Sequence, residues 1–194
     1  MANKEFLNKG VRHTDNTWNE VHAPAADHHC AGLLTMTPIN PNGSVQASIR
    51  IKDSANNYRV LAKKFSLVVS GGYSESIKLP PTKAVEVKLE TALQTASVTG
   101  VSLTDPLVVS IDALPSRCVV GSLVSFADIV GTTELNSGRY LVTAVTTTSV
   151  TLALESDEVD IDGTSGYTAW SSAGTMTLHE LDTSYDYYEE GVPA

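Results

Sequence analysis

The chain has very little cysteine. Its 194 residues hold two, Cys30 and Cys118, far apart and in no zinc or redox spacing. Both are read as free, buried thiols of a protein made in a reducing compartment, and the sequon Asn42-Gly43-Ser44 is then only a turn. Charge is scarce as well: charged residues make up 18% of the chain, and 13 lysines and arginines against 22 acids leave a net charge of −9. The largest basic cluster is Lys63-Lys64. Direct contact with nucleic acid is therefore not expected, because phosphate binding relies on clustered positive charge. No apolar run approaches the ~20 residues of a membrane-spanning helix, so no membrane partner is expected. The opening MANKEFLNKGVRH has no apolar core of signal-peptide type, and the chain is expected to remain in the cytoplasm of the cell that makes it. Aromatics are 6% and scattered, apart from one C-terminal cluster.

What fills the space is Thr, Ser, Ala and Val, a bias that suits a pleated sheet better than a helix. Strand signals recur every eight to twelve residues. Thr17–His22 alternates weakly and is broken by Ala23-Pro24-Ala25. Cys30–Thr37 is an apolar run stopped by Pro38 and Pro41, and Asn42-Gly43 is a hairpin signal. Val45, Ala47, Ile49 and Ile51 alternate with Gln46, Ser48, Arg50 and Lys52, the pattern of a strand with one wet face. Further strands are expected at Tyr58–Ala62 after an Asn56-Asn57 turn, at Phe65–Val69 and at Val85–Leu89. Residues 92–104 read as a joint. Beyond it lie strands at Leu107–Ile111, Leu123–Ile129, Tyr140–Val145 and Val150–Leu154. No segment carries a helical period over ten residues.

The expected architecture is all-β: an antiparallel β-sandwich followed by a second, small β-barrel-like domain, with extended termini. The boundaries read as an N-terminal arm at 1–16, the sandwich at 17–96, the second domain at 97–180, and an acidic, Tyr-rich tail at 181–194.

No motif in the chain has the spacing of a known reactive or metal site. His22, Asp27, His28, His29 and Cys30 form the densest set of metal-type ligands. Adjacent residues on an extended chain face opposite sides, however, and only the remote Cys118 and His179 could complete a site. Glu158, Asp160 and Asp162 followed by Gly163 begin like a calcium loop, but the twelfth position is Ala169 and not a bidentate Glu. Gly-x-Ser-x-Gly, a Cys–His pairing and phosphate-cradling glycine loops are all lacking. The 22 acids leave a glycosidase carboxylate pair open in principle, yet none sits in an apolar run that would raise its pKa. The expectation is a non-enzyme with no metal and no cofactor.

Two blocks stand out: Gly-Thr-Thr-Glu-Leu-Asn-Ser-Gly-Arg-Tyr at 131–140 and Gly-Thr-Ser-Gly-Tyr-Thr-Ala-Trp-Ser-Ser-Ala-Gly at 163–174. Together they resemble a β-module of tailed-bacteriophage structural proteins, usually G-M-T-E-L-N-G-R-x-Y-T-V followed by T-G-Y-T-A-Y-x-S-G-G. That module is commonly labelled by its likeness to the first catalytic cysteine half-domain of ubiquitin-activating enzyme, a label that implies no ubiquitin chemistry. The resemblance covers residues 118–176, and the chain departs from it at Thr132, at the inserted Ser137 and at Trp170. Residues 17–92, through Ala23-Pro24-Ala25, Tyr58–Lys63 and Gly71-Gly72-Tyr73-Ser74, are similar to small phage β-sandwich proteins.

The resemblance implies a virion structural protein. Small size, two β-domains and polar termini favour a capsid decoration (cement) protein over a tail, baseplate or neck accessory protein. A host receptor- or carbohydrate-binding module is the alternative of another class. The implied partners are the major capsid protein or tail proteins, with self-association into a homo-oligomer. Tyr185, Tyr187 and Tyr188, together with Trp18, are the candidate interface residues, since such side chains bury large area at low entropic cost.

Overall fold

The computed structural model describes residues 7–13, 16–26, 28–40, 42, 44–53, 55, 57–68 and 71–191. They form an all-β, antiparallel structure whose only helix among the described residues is a 3-10 turn, Thr133–Ser137. The contacts divide the chain into two units. Unit 1 is Met1–Pro38, Ser44–Ala92 and Leu181–Ala194; unit 2 is Ile39–Gly43 and Leu93–Glu180.

Unit 1 is a sandwich of two four-stranded sheets. Its strands are β1 (Leu7–Arg12), β2 (Trp18–His22), β3 (His28–Pro38), β4 (Ser44–Asp53), β5 (Tyr58–Val68), β6 (Tyr73–Leu79) and β7 (Lys83–Leu89), together with the last strand of the chain, β14 (Leu181–Gly191). One sheet runs β1-β14-β3-β6 and the other β2-β7-β4-β5. Period-two alternation turns Leu34, Met36, Ile77 and Leu79 of the first sheet inward, with Val45, Ala47, Ile49, Val85, Val87 and Leu89 of the second, and all are buried. Each of these side chains larger than Ala47 contributes about 1.5–3 kcal/mol of burial free energy. The Asn42-Gly43 and Asn56-Asn57 turn signals fall partly on residues outside the description.

Four expectations change. The tail at 181–194 is, over Leu181–Gly191, a strand inside a sheet, hydrogen-bonded to β1 on one side and β3 on the other. The physical reason lies in its alternation: Leu181, Thr183, Tyr185 and Tyr187 all point inward and are buried. An acidic composition concealed an amphipathic strand: Asp182 and Asp186 lie on the opposite face, and Glu189 on the inward side is bonded to His22. The arm at 1–16 is, over Leu7–Arg12, the edge strand that pairs with it. The division at 96/97 moves to Ala92/Leu93, and residues 181–194 join the first unit. Lastly, Tyr58–Val68 is one strand and not two; register shifts against β4 near Ile49 absorb the break in its pattern.

Unit 2 is a closed barrel, in the order β10-β11-β12-β9-β8-β13. Its strands are β8 (Thr95–Ser102), β9 (Val108–Ile111), β10 (Leu123–Ala127), β11 (Arg139–Val145), β12 (Ser149–Leu154) and β13 (Thr175–Leu178). Closure leaves no unpaired edge. The stretch read as a joint thus contains a barrel strand, β8. Val98, Val109, Ile111, Val124, Phe126, Val142, Val150, Leu152, Met176 and Leu178 fill the interior. The 3-10 turn adds Leu135, with no exposed surface.

Candidate functional site

The two signature blocks meet on unit 2. Gly131 has φ +98°, and a Cβ there would lie 2.2 Å from the Ala169 carbonyl oxygen and 2.8 Å from the Ser171 nitrogen. Only glycine permits both that backbone and that approach. Val130 and Ser172 then form an antiparallel bridge, with Val130 N donating to Ser172 O at 3.0 Å and Ser171 N to Val130 O at 2.9 Å. Across the same gap Glu134 accepts from Thr168 Oγ1 at 2.5 Å and from Thr168 N at 3.2 Å. The Thr168 hydroxyl above all holds the Glu134 carboxyl below its ordinary range, helped by backbone N–H groups.

The other block residues work inside their own loop. The Asn136 side chain accepts from Ile129 N and donates to Ile129 O, both at 3.0 Å, copying a β-ladder pair. A Cβ on Gly138 would lie 2.5 Å from the Tyr140 ring, whose hydroxyl donates to Glu134 O at 3.3 Å. Trp170 Nε1 donates to Ala173 O at 3.1 Å. Thr132 is fully buried, and its hydroxyl has no partner among the described residues. The blocks therefore latch two loops together, and the one carboxylate at the latch is occupied by donors. Its outward surface mixes exposed polar side chains, Thr133, Ser171 and Ser172 among them, with a half-exposed Val130 and a half-buried Trp170.

The expected interface residues are not brought together. Tyr185 is wholly buried: its hydroxyl donates to Ile77 O at 2.9 Å, and its ring stacks on Tyr187 at 5.3 Å. Burial pushes its ionisation far upward. Tyr187 is also buried, against His22 with ring centroids 3.9 Å apart. Both are core residues and offer no interface, because β14 is an interior strand. Tyr188, one residue out of phase, is half-buried on the outer face beside Ala31 and Lys78. Trp18 lies on the outer face of the other sheet under the Arg50 guanidinium, 4.1 Å from the ring centroid. Arg50 Nε is in turn 2.5 Å from Glu86 Oε2, with Lys52 Nζ 3.6 Å from the other oxygen. One aromatic face of Trp18 is thereby covered.

The metal-type set also disperses. His22 Nε2 bonds Glu189 Oε1 at 3.0 Å inside unit 1, and burial lowers its pKa although Glu189 works the other way. His28 is half-buried and His29 exposed, as neighbours on a strand require; Asp27 lies outside the described residues. In the calcium-like loop Asp160 accepts from Thr143 Oγ1 at 3.0 Å, and Asp162 accepts from Thr164 N at 2.8 Å. Among the described residues no group of three or more His, Cys, Asp or Glu could hold a metal ion. Cys30 and Cys118 are buried and unbridged.

Sequence reasoning passed over one polar cluster. Glu180 is buried in unit 2, where Asn40 Nδ2 donates to its Oε2 at 3.1 Å and Arg117 Nη2 lies 2.7 Å from its Oε1, an ion pair without hydrogen-bond alignment. Burial raises the Glu180 pKa despite both partners. No periodicity could have revealed it, since the three residues come from distant segments.

No helix among the described residues is long and apolar enough to cross a membrane. No protein-family model matches the chain, and no curated protein does. Among solved structures it is similar to tripeptidyl peptidase 2, at 8% identity and TM-score 0.28, over 97% of this chain and 23% of that one. It is similar to a chain of infectious bursal disease virus Gt strain at 7% identity and TM-score 0.24, over 99% of this chain and 43% of that one. A putative secreted protein from Parabacteroides distasonis aligns at 8% identity and TM-score 0.22, over 98% of this chain and 84% of that one. The chain thus spans less than half the length of the first two, and likenesses this weak carry no argument about what it does.

Proposed function

We propose that this chain is a non-enzymatic structural protein of a tailed-phage virion, and within the virion a capsid decoration protein. The reading rests on the paired blocks at 131–140 and 163–174, the residues that carry the phage resemblance. It is supported by the latch that Gly131, Glu134 and Thr168 make between them. Those residues have structural duties that account for their presence without any reaction. A cement protein acts by adding buried area at several weak contacts across subunit joints, which stabilises the shell by mass action. A carbohydrate-binding reading would need an open aromatic platform, and Trp18 lies under Arg50.

The test is a density map of the intact particle together with heat challenge of particles lacking the protein. Density on the shell and a lowered capsid melting temperature are expected. Full capsid stability with defective tails would overturn the decoration reading in favour of a tail, baseplate or neck role.

A further inference from the structure

Arg50, Lys52, Lys88, Arg117 and Arg139 are each within ion-pair distance of a carboxylate. Arg59, Lys78 and Lys83 have no such partner among the described residues. All three line one pocket of unit 1, a cavity of about 390 Å³ bounded also by Ile51, Asp53, Asn57 and Pro80. It opens where the edge strands β5 and β6 of the two sheets meet the β6–β7 turn. The one carboxylate in it, Asp53, accepts from Ala55 N at 3.0 Å and Asn57 N at 2.9 Å and also feels the charge of Lys83, its cross-strand neighbour. Three cations against one carboxylate leave the pocket with an excess of positive charge, and an arriving anion relieves the repulsion among them. In a chain of net charge −9 such a concentration is unexpected by composition.

Unit 2 carries a surface of the complementary kind. The turn after β12, Glu155–Asp162, exposes Asp157, Glu158, Asp160 and Asp162, none of them in an ion pair among the described residues. Beside them Val159 is 57% and Leu154 42% exposed, two apolar side chains that the barrel does not use. An apolar knob ringed by acids matches a pocket whose Ile51 and Pro80 are apolar and whose rim is cationic.

We propose that the 155–162 turn of one copy docks into the Arg59/Lys78/Lys83 pocket of a second copy. The contact is head-to-tail, so it generates a ring if the rotation closes and a filament if it does not. It deepens the assembly reading above by naming this chain as its own partner. A purified chain that stays monomeric overturns the contact alone, whereas absence from particles overturns the assembly reading.

Sedimentation equilibrium of the full chain at low and high salt is the test. Concentration-dependent association that weakens with salt is expected. Lys78→Glu and Glu158→Lys, both at exposed positions, should each weaken it by about tenfold or more, because each sets like charges face to face. An equimolar mixture of the two variants should associate again, since each retains the half that the other has lost. Circular dichroism checks that both remain folded. A monomer at every concentration, association that neither reversal weakens, or a mixture that fails to recover overturns the proposal.

Discussion

Replacing Tyr185 tests the placement of the C-terminal strand most directly. Its side chain has no exposed surface, its ring stacks on Tyr187, and its hydroxyl donates to Ile77 O at 2.9 Å. Tyr185→Ala removes an aromatic that buries roughly 150–250 Å² and leaves a cavity between the sheets. Large-to-small changes of this kind cost about 3–5 kcal/mol. Tyr185→Phe keeps the ring and leaves the Ile77 carbonyl without its donor, at about 1–3 kcal/mol. The order Ala worse than Phe worse than Tyr is therefore fixed by separate terms. Because the chain has two units, a single melting curve is not a clean readout. Amide hydrogen exchange resolves them: protection in β3, β4 and β7 should fall by the stated amounts, while β10–β12 of the barrel keep theirs. If Tyr185→Ala left the exchange of unit 1 within about 1 kcal/mol of the parent, well below the cost expected for that change, β14 would not be an interior strand and the sandwich would be wrong as drawn. Truncation after Glu180 should be harsher, since β1 and β3 both lose their pairing partner.

Three further outcomes are expected. Gly131→Ala combines positive φ with a backbone clash at 2.2 Å; it should lower barrel stability by more than about 2 kcal/mol, and unchanged amide exchange in β10–β12 would refute the latch. Glu134 has a depressed pKa in the folded state, so its contribution is present above the unfolded carboxyl value and is lost as pH falls through the folded one. The stability gap between the parent and Glu134→Gln should accordingly be open at neutral pH and close in acid; a gap independent of pH would show that the Thr168 contact does not depend on charge. Burial pushes the Cys118 thiol up to about 11 and raises Cys30. Neither should react with a thiol reagent at neutral pH until the protein unfolds, and rapid native labelling would place them at the surface.

Much of the architecture was readable in advance because strands announce themselves locally. Val45–Lys52 and Val85–Leu89 alternate with period two, and both became strands with their apolar sides inward. Composition alone excluded long helices. The barrel strands at 123–127, 139–145 and 149–154 followed from β-branched runs between turns. By contrast β6 (Tyr73–Leu79) was overlooked: it is an edge strand whose exposed face is polar (Ser74, Ser76 and Lys78), and only Ile77 and Leu79 at its end are buried.

The sequence by itself determined that this protein is β throughout and that it makes two compact β-units, with the blocks at 131–140 and 163–174 both in the second. Those properties follow from side-chain alternation and turn residues, which act over a few positions. Only the tertiary structure decided that the chain's last strand returns to the first unit, which turned Tyr185 and Tyr187 from candidate contacts into core. It alone revealed that Arg59, Lys78 and Lys83 share a pocket and that Gly131 meets Ala169. Strand pairing joins residues up to 180 positions apart, as between Leu7 and Tyr187, and no local pattern encodes which distant partner completes a sheet.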